Sequence, residues 1–270
     1  MWNATLLPLL VGGANSGDKP HMIDLETGVW SRAATNFVTG YLGSSPYCGS
    51  IEDTTRNRVW WAGTGSTSMR WLDLTEAHPR TMHTHAIAGG NNFAFGGYYS
   101  RHVYVPEADM AVGIWLRYGD TTPVRGEVFD MSSGVPVRTA TLDSALPSFT
   151  ITSWDGGPGP GFGMDWCPIT QAFYLFEGPG ATRVIKLTPS SLDFASCTWT
   201  FSTESYTNSA VGLSMGTWGD PGAGSQPFSK WRWIDGLKCF CWSDGPTSSG
   251  VCRDGVTRTG LMQIWRPAGT

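Results

Sequence analysis

Residues 50–63 read SIEDTTRNRVWWAG: an alternating segment, a short polar turn, then an apolar run closed by glycine. Period-two alternation on both sides of a turn-forming cluster predicts a β-hairpin. The pattern returns at 104–115 (YVPEADMAVGIW), 164–176 (MDWCPITQAFYLF) and 231–242 (WRWIDGLKCFCW). Aligned on the turn, the second strands begin near Arg58, Met110, Ala172 and Leu237, a recurrence of about 50 to 65 residues. One hairpin repeated at that interval predicts an all-β protein of successive four-stranded sheets, a β-propeller.

Each copy divides into four strands. The second copy supplies 47–52, 58–62, 69–74 and 80–87, and the third 99–106, 110–117, 126–131 and 135–142. The fourth supplies 163–167, 172–176, 183–187 and 197–202; the fifth holds only 230–234, 237–242 and 261–266. The first copy is also partial, with an apolar strand at 6–13 (LLPLLVGG) and a strand and turn at 21–30 (HMIDLETGVW). The expectation is a single domain, 1–270, with five four-stranded blades or six shorter ones. Closure would come from the segment before Pro8 pairing with the 261–266 sheet, hiding two aggregation-prone edges.

Gly12-Gly13 followed by Asp24-Leu25-Glu26-Thr27-Gly28-Val29-Trp30 resembles the Kelch and galactose-oxidase-central-domain repeat, an apolar strand ending in Gly-Gly and then an Asp-x-x-Thr-x-x-Trp segment. Weaker echoes lie at 71–75 (WLDLT) and 128–134 (VFDMSSG), while the fourth copy carries Lys186 (VIKLTP) where the Asp is expected. The resemblance implies a fold and no activity. The copper ligands of galactose oxidase map onto no residues here, so no cofactor follows from it.

Composition narrows the partners. The chain has 35 Gly, 17 Pro and 14 Trp, with 15% charged residues and a net charge of −4. No basic patch is present, which argues against nucleic acid. The longest apolar run, 6–11, is broken by Pro8 and far too short to span a bilayer, and no Lys or Arg precedes it as in a signal peptide. The six cysteines form no paired C-x-x-C arrangement, so structural zinc is not expected. Cys239 and Cys241 fall on one side of one strand and are poor disulfide partners for each other. Buried free thiols are expected, or a disulfide from Cys252 to one of that pair.

The connections differ by end. Turns between first and second strands are short, whereas 35–46, 88–97, 145–162 and 203–229 are long, as are 14–20, 119–125 and 243–260. Long loops gathered at one end of a rigid scaffold are where binding usually sits. They carry Phe37, Tyr41, Phe93, Phe95, Trp154, Asp155, Phe162, Trp218 and Phe228 among small polar residues. Such rings stack on sugars or anchor protein interfaces, and otherwise fold back to pin their own loops. The Gly/Pro run at 155–161 has no strand–loop–helix context for a phosphate loop.

For catalysis, five-bladed glycosidases use a carboxylate pair near the axis, and Asp165 and Glu177 are the candidates on strands. His83 and His85, two apart on a strand, share a face and form a weak metal candidate. The expected function is a non-enzymatic binding or structural propeller. A Gly- and Trp-rich, lysine-poor chain without a signal peptide fits a bacteriophage virion component, in tail or capsid decoration, that contacts a cell-surface glycan or a neighbouring virion protein. The alternatives are a polysaccharide-degrading glycosidase or lyase and a cytoplasmic Kelch-type adaptor.

Overall fold

The computed structural model describes residues 6–7, 21–24, 30–32, 50–61, 68–76, 81–86, 101–115, 125–142, 162–176, 183–206, 231–243 and 262–270. These residues form eighteen strands in five antiparallel sheets, each sheet taking its strands in chain order. The fold is all-β and of the β-propeller class. The one helical element among the described residues is a short 3-10 turn, Asp235–Leu237.

The first sheet comprises β1 (Leu6–Leu7), β2 (His21–Asp24) and β3 (Trp30–Arg32). The second holds β4 (Ser50–Asp53), β5 (Arg58–Trp61), β6 (Ser68–Asp73) and β7 (His83–Ala86). The third holds β8 (Arg101–Val105), β9 (Met110–Trp115), β10 (Arg125–Asp130) and β11 (Val137–Thr141). The fourth holds β12 (Gly163–Cys167), β13 (Ala172–Phe176), β14 (Arg183–Pro189) and β15 (Trp199–Ser205). The fifth comprises β16 (Arg232–Ile234), β17 (Cys239–Ser243) and β18 (Met262–Trp265).

Leu6 and Leu7 pair with Asp24 and Ile23 of their own sheet; the remainder of the segment expected to close the ring, residues 1–5, lies outside the described residues. Two expectations need correction. Among the described residues three sheets hold four strands and two hold three, short of the five four-stranded blades expected. The last second strand starts at Cys239 and not at Leu237, because Asp235–Leu237 coils into the 3-10 turn.

That last correction sharpens the repeat. The residue just before each second strand is Asn57, Asp109, Gln171 or Lys238, and all four are left-handed, with φ between 47° and 54°. Each hairpin therefore reverses through the same turn with one residue in the αL region. Only Asn57 and Asp109 are residue types that favour that region.

Burial follows strand position. All five residues of β8 and of β13 are buried, so these strands are covered on both faces; β13 reads as a continuous apolar run, whereas β8 buries Arg101 and His102 as well. The fourth strands β7, β11 and β15 are half-exposed and alternate. The register also reassigns Lys186. Asp73 lies opposite Arg58, the first residue of β5. In the fourth sheet Phe173 lies opposite Leu187, which puts Thr188 opposite Ala172, the first residue of β13. Thr188 thus replaces the repeat's Asp, and Lys186 stands where the second sheet has Trp71.

The chain divides into two compact units, Met1–Gly113 with Glu127–Ala140, and Ile114–Gly126 with Thr141–Thr270. In the first, Ile51, Trp60, Met69, Tyr104, Ala111, Phe129 and Met131 form a core between the second and third sheets. In the second, Cys167, Ala172, Tyr174, Phe176, Val184, Tyr206, Trp231 and Phe240 do the same between the fourth and fifth.

Candidate functional site

Most of the loop aromatics, namely Phe37, Tyr41, Phe93, Phe95, Trp154, Trp218 and Phe228, lie outside the described residues, as do Asp155 and Glu177. Phe162 is described and is fully buried, so it packs inside rather than offering a ring to a ligand.

Asp165 sits mid-strand on β12. Its Oδ1 accepts the Trp166 N–H at 2.9 Å and its Oδ2 accepts the Trp233 N–H at 2.8 Å. Trp233 belongs to β16, so this carboxylate ties the first strand of the fourth sheet to the first strand of the fifth. Two charge-assisted bonds to fixed amides hold the group as a brace.

His83 and His85 do share a face of β7, but each is committed to a tryptophan. His83 stacks on Trp71 at 4.2 Å and its Nε2 lies 2.6 Å from Glu76 Oε1. His85 presents an edge to Trp60 at 6.2 Å. Among the described residues no group of three His, Cys, Asp or Glu side chains converges as for a metal ion.

The densest polar cluster joins the second and third sheets at their hairpin turns. Asp53, which closes β4, is fully buried. Its Oδ1 caps the turn by accepting the Arg56 N–H at 3.0 Å. The Arg56 guanidinium forks onto Asp109, Nη1 to Oδ1 at 2.9 Å and Nη2 to Oδ2 at 2.7 Å, while Nη1 also reaches both Asp53 oxygens at 3.3 Å. The Tyr104 hydroxyl donates to Asp109 Oδ1 at 2.7 Å and shares a hydrogen bond with Thr55 Oγ1 at 2.7 Å. Beside it, Arg58 Nη1 donates to the Gly134 carbonyl at 2.8 Å, and its guanidinium lies 4.4 Å from the centre of the Trp71 ring.

The two carboxylates are pushed apart. Burial raises Asp53 despite the bonds from Arg56, whereas those bonds hold Asp109 low. Burial pushes the Tyr104 phenol up to about 12. Opposed carboxylates can serve acid–base chemistry. Here the single guanidinium occupies the space between them, which suits a clamp. The clamp joins non-equivalent positions, Asp53 at the end of β4 and Asp109 at the end of the next hairpin's turn, so the repeat alone does not pair them.

A third cluster lies in the second unit. Lys186 Nζ is 3.5 Å from Glu204 Oε1, which also accepts the Tyr174 hydroxyl at 3.2 Å. Glu204 Oε2 accepts the Ala268 N–H at 2.8 Å, so this carboxylate anchors the C-terminal residues.

No protein-family model matches the chain, and no curated protein matches it. Among solved structures, a chain of a nidogen/laminin complex is similar at 14% identity and a TM-score of 0.43, covering 84% of this chain and 64% of that one. A putative 6-phosphogluconolactonase from Bacteroides uniformis is similar at 11% identity and a TM-score of 0.45, covering 75% and 54%. Hydrazine synthase from Kuenenia stuttgartiensis is similar at 10% identity and a TM-score of 0.41, covering 89% and 62%. The chain thus spans between about half and two thirds of the solved chains it matches. Likeness at this level says nothing of what this chain binds or catalyses.

Proposed function

We propose that this chain is a non-enzymatic propeller that presents loops to a partner, as a bacteriophage virion component contacting a cell-surface glycan or a neighbouring virion protein. The observation that carries the non-catalytic half is Asp165, whose two oxygens each accept a backbone N–H. A carboxylate so engaged is held as a brace between two strands, the role of a structural group. The Kelch-like repeat and the lysine-poor, Gly- and Trp-rich composition support the rest.

Binding to an array of bacterial surface glycans tests it. The intact protein binds, and Trp154→Ala or Trp218→Ala lowers binding at least ~10-fold, as expected for loss of a stacking ring. The alternative, a polysaccharide-cleaving hydrolase or lyase, would release new sugar ends and lose that release in Asp165→Asn. Such release, or binding indifferent to both tryptophans, overturns the proposal.

A further inference from the structure

The clamp between the second and third sheets sets one guanidinium before two carboxylates that it serves unequally. Arg56 spends its short bonds on Asp109, 2.9 Å from Nη1 to Oδ1 and 2.7 Å from Nη2 to Oδ2. Asp53 receives only the further reach of Nη1, 3.3 Å to each oxygen. Yet Asp53 has no exposed surface, while the Asp109 side chain is 32% exposed. The deeper charge therefore has the weaker partner, although a charge taken out of water needs the stronger one.

The two Asp53 oxygens also have different duties. Oδ1 accepts the Arg56 N–H at 3.0 Å and caps the turn. Oδ2 holds the long Nη1 contact and can take a proton without disturbing that cap. Two further groups among the described residues face Asp53. Tyr104 of β8 donates its hydroxyl to Asp109. Arg58 of β5, the register partner of Asp53, is engaged by Asp73 at 3.7 Å and by the Gly134 carbonyl at 2.8 Å.

From this arrangement we infer that the clamp is a proton-tightened latch: as the solution turns acid, Asp53 Oδ2 takes one proton from solvent, Arg56 passes wholly to Asp109, and the second and third sheets are held together more firmly. Burial raises the Asp53 carboxyl above its ordinary 3.8 against the bonds from Arg56, and the Asp109 charge adds to the rise. The folded chain then binds this proton more tightly than the unfolded chain does. The added stability is complete below 3.8 and is lost as the pH rises through the folded-state value. Asp109, held low by Arg56, stays ionised in that window. Burial of His102 moves global stability the opposite way, so the latch is read locally.

The test is an NMR titration of the whole chain from pH 7 to pH 3 that follows the Asp53 carboxyl carbon and the Arg56 amide. Both should move together, with a midpoint above 3.8. Asp109→Asn turns the guanidinium onto Asp53 and should weaken proton binding there at least ~10-fold. Asp53→Asn keeps the Oδ1 cap without the charge; at pH 7 it should raise the protection of the β4 amides against exchange and abolish the Arg56 titration. Should either variant fail to fold, the wild-type titration and the other variant decide. A midpoint at or below 3.8, an Arg56 amide that does not follow it, proton binding untouched by Asp109→Asn, or lower β4 protection in Asp53→Asn refutes the latch.

Discussion

The two described junctions between neighbouring sheets use different physics for the same task. Between the second and third sheets, an apolar core is closed at the turns by one guanidinium shared between Asp53 and Asp109. Between the fourth and fifth, Trp231 stacks on Phe240 at 4.8 Å and 10° and on Phe176 at 4.7 Å and 24°, and donates its indole N–H to the Tyr174 carbonyl at 3.1 Å. Two carboxylates add to it: Asp165, bonded to the neutral amides of Trp166 and Trp233, and Glu204, which accepts the Ala268 N–H beyond β18. A repeat thus fixes where strands and turns go and leaves open what joins one sheet to the next.

The largest expected effect is at the aromatic junction. Trp231→Ala removes a fully buried ring and should cost about 3–5 kcal/mol in denaturant unfolding. Trp231→Phe keeps the stack, loses one hydrogen bond, and should cost clearly less. Equal losses for the two would mean that stacking is not what holds this junction.

At the charged junction, Arg56→Met leaves Asp53 buried beside a second carboxylate. Removing one member of a buried pair costs about 3–5 kcal/mol, and the partial exposure of Arg56 and Asp109 brings the expectation to about 2–3 kcal/mol. Adding Asp53→Asn should restore part of the loss. A double-mutant cycle with no coupling would show the clamp to be ornamental.

The hairpins themselves were readable in the sequence because alternation, a polar turn and a terminal glycine are local signals. The end of the turn was legible in three of the four copies, and its conformation was not: nothing in Gln171 or Lys238 announces a left-handed residue. The clamp was missed because Arg56 and Asp109 lie 53 residues apart and meet only when adjacent repeats are laid side by side. The Lys186 assignment failed by two residues because the fourth copy has no Asp to mark its register. Which of Trp231, Phe240 and Trp265 stack on one another depends on sheet spacing that composition does not encode.

A third expectation concerns Gly113 and His102, which adjoin in the first unit. A Cβ on Gly113 would lie 2.3 Å from the His102 ring, so Gly113→Ala should cost about 1–3 kcal/mol as an overpacked substitution. Burial, with the Arg101 charge second, lowers the His102 imidazole from 6.5 to about 3. Between those values the unfolded chain binds a proton that the folded chain refuses, so stability rises with pH there. The contribution is complete above about 6.5 and falls away as the pH drops toward 3. Thermal melts from pH 7 to pH 4 should show this decline, and His102→Leu should flatten it; an unchanged slope would mean that the ring is protonated in the fold.

The smallest effect compares the turns. Gln171→Gly relieves a left-handed residue at φ 47° and should stabilise by about 0.5–1 kcal/mol. Asn57→Gly should gain less, because Asn tolerates that conformation.

The most direct measurement is amide hydrogen exchange on Arg56→Met against the wild type. Protection should fall in β4 and β8, whose turns the clamp joins, and stay unchanged in β12 and β16, which Asp165 joins. Loss spread evenly over both pairs, or absent from both, would contradict the claim that the two junctions are held independently by charge and by aromatic packing.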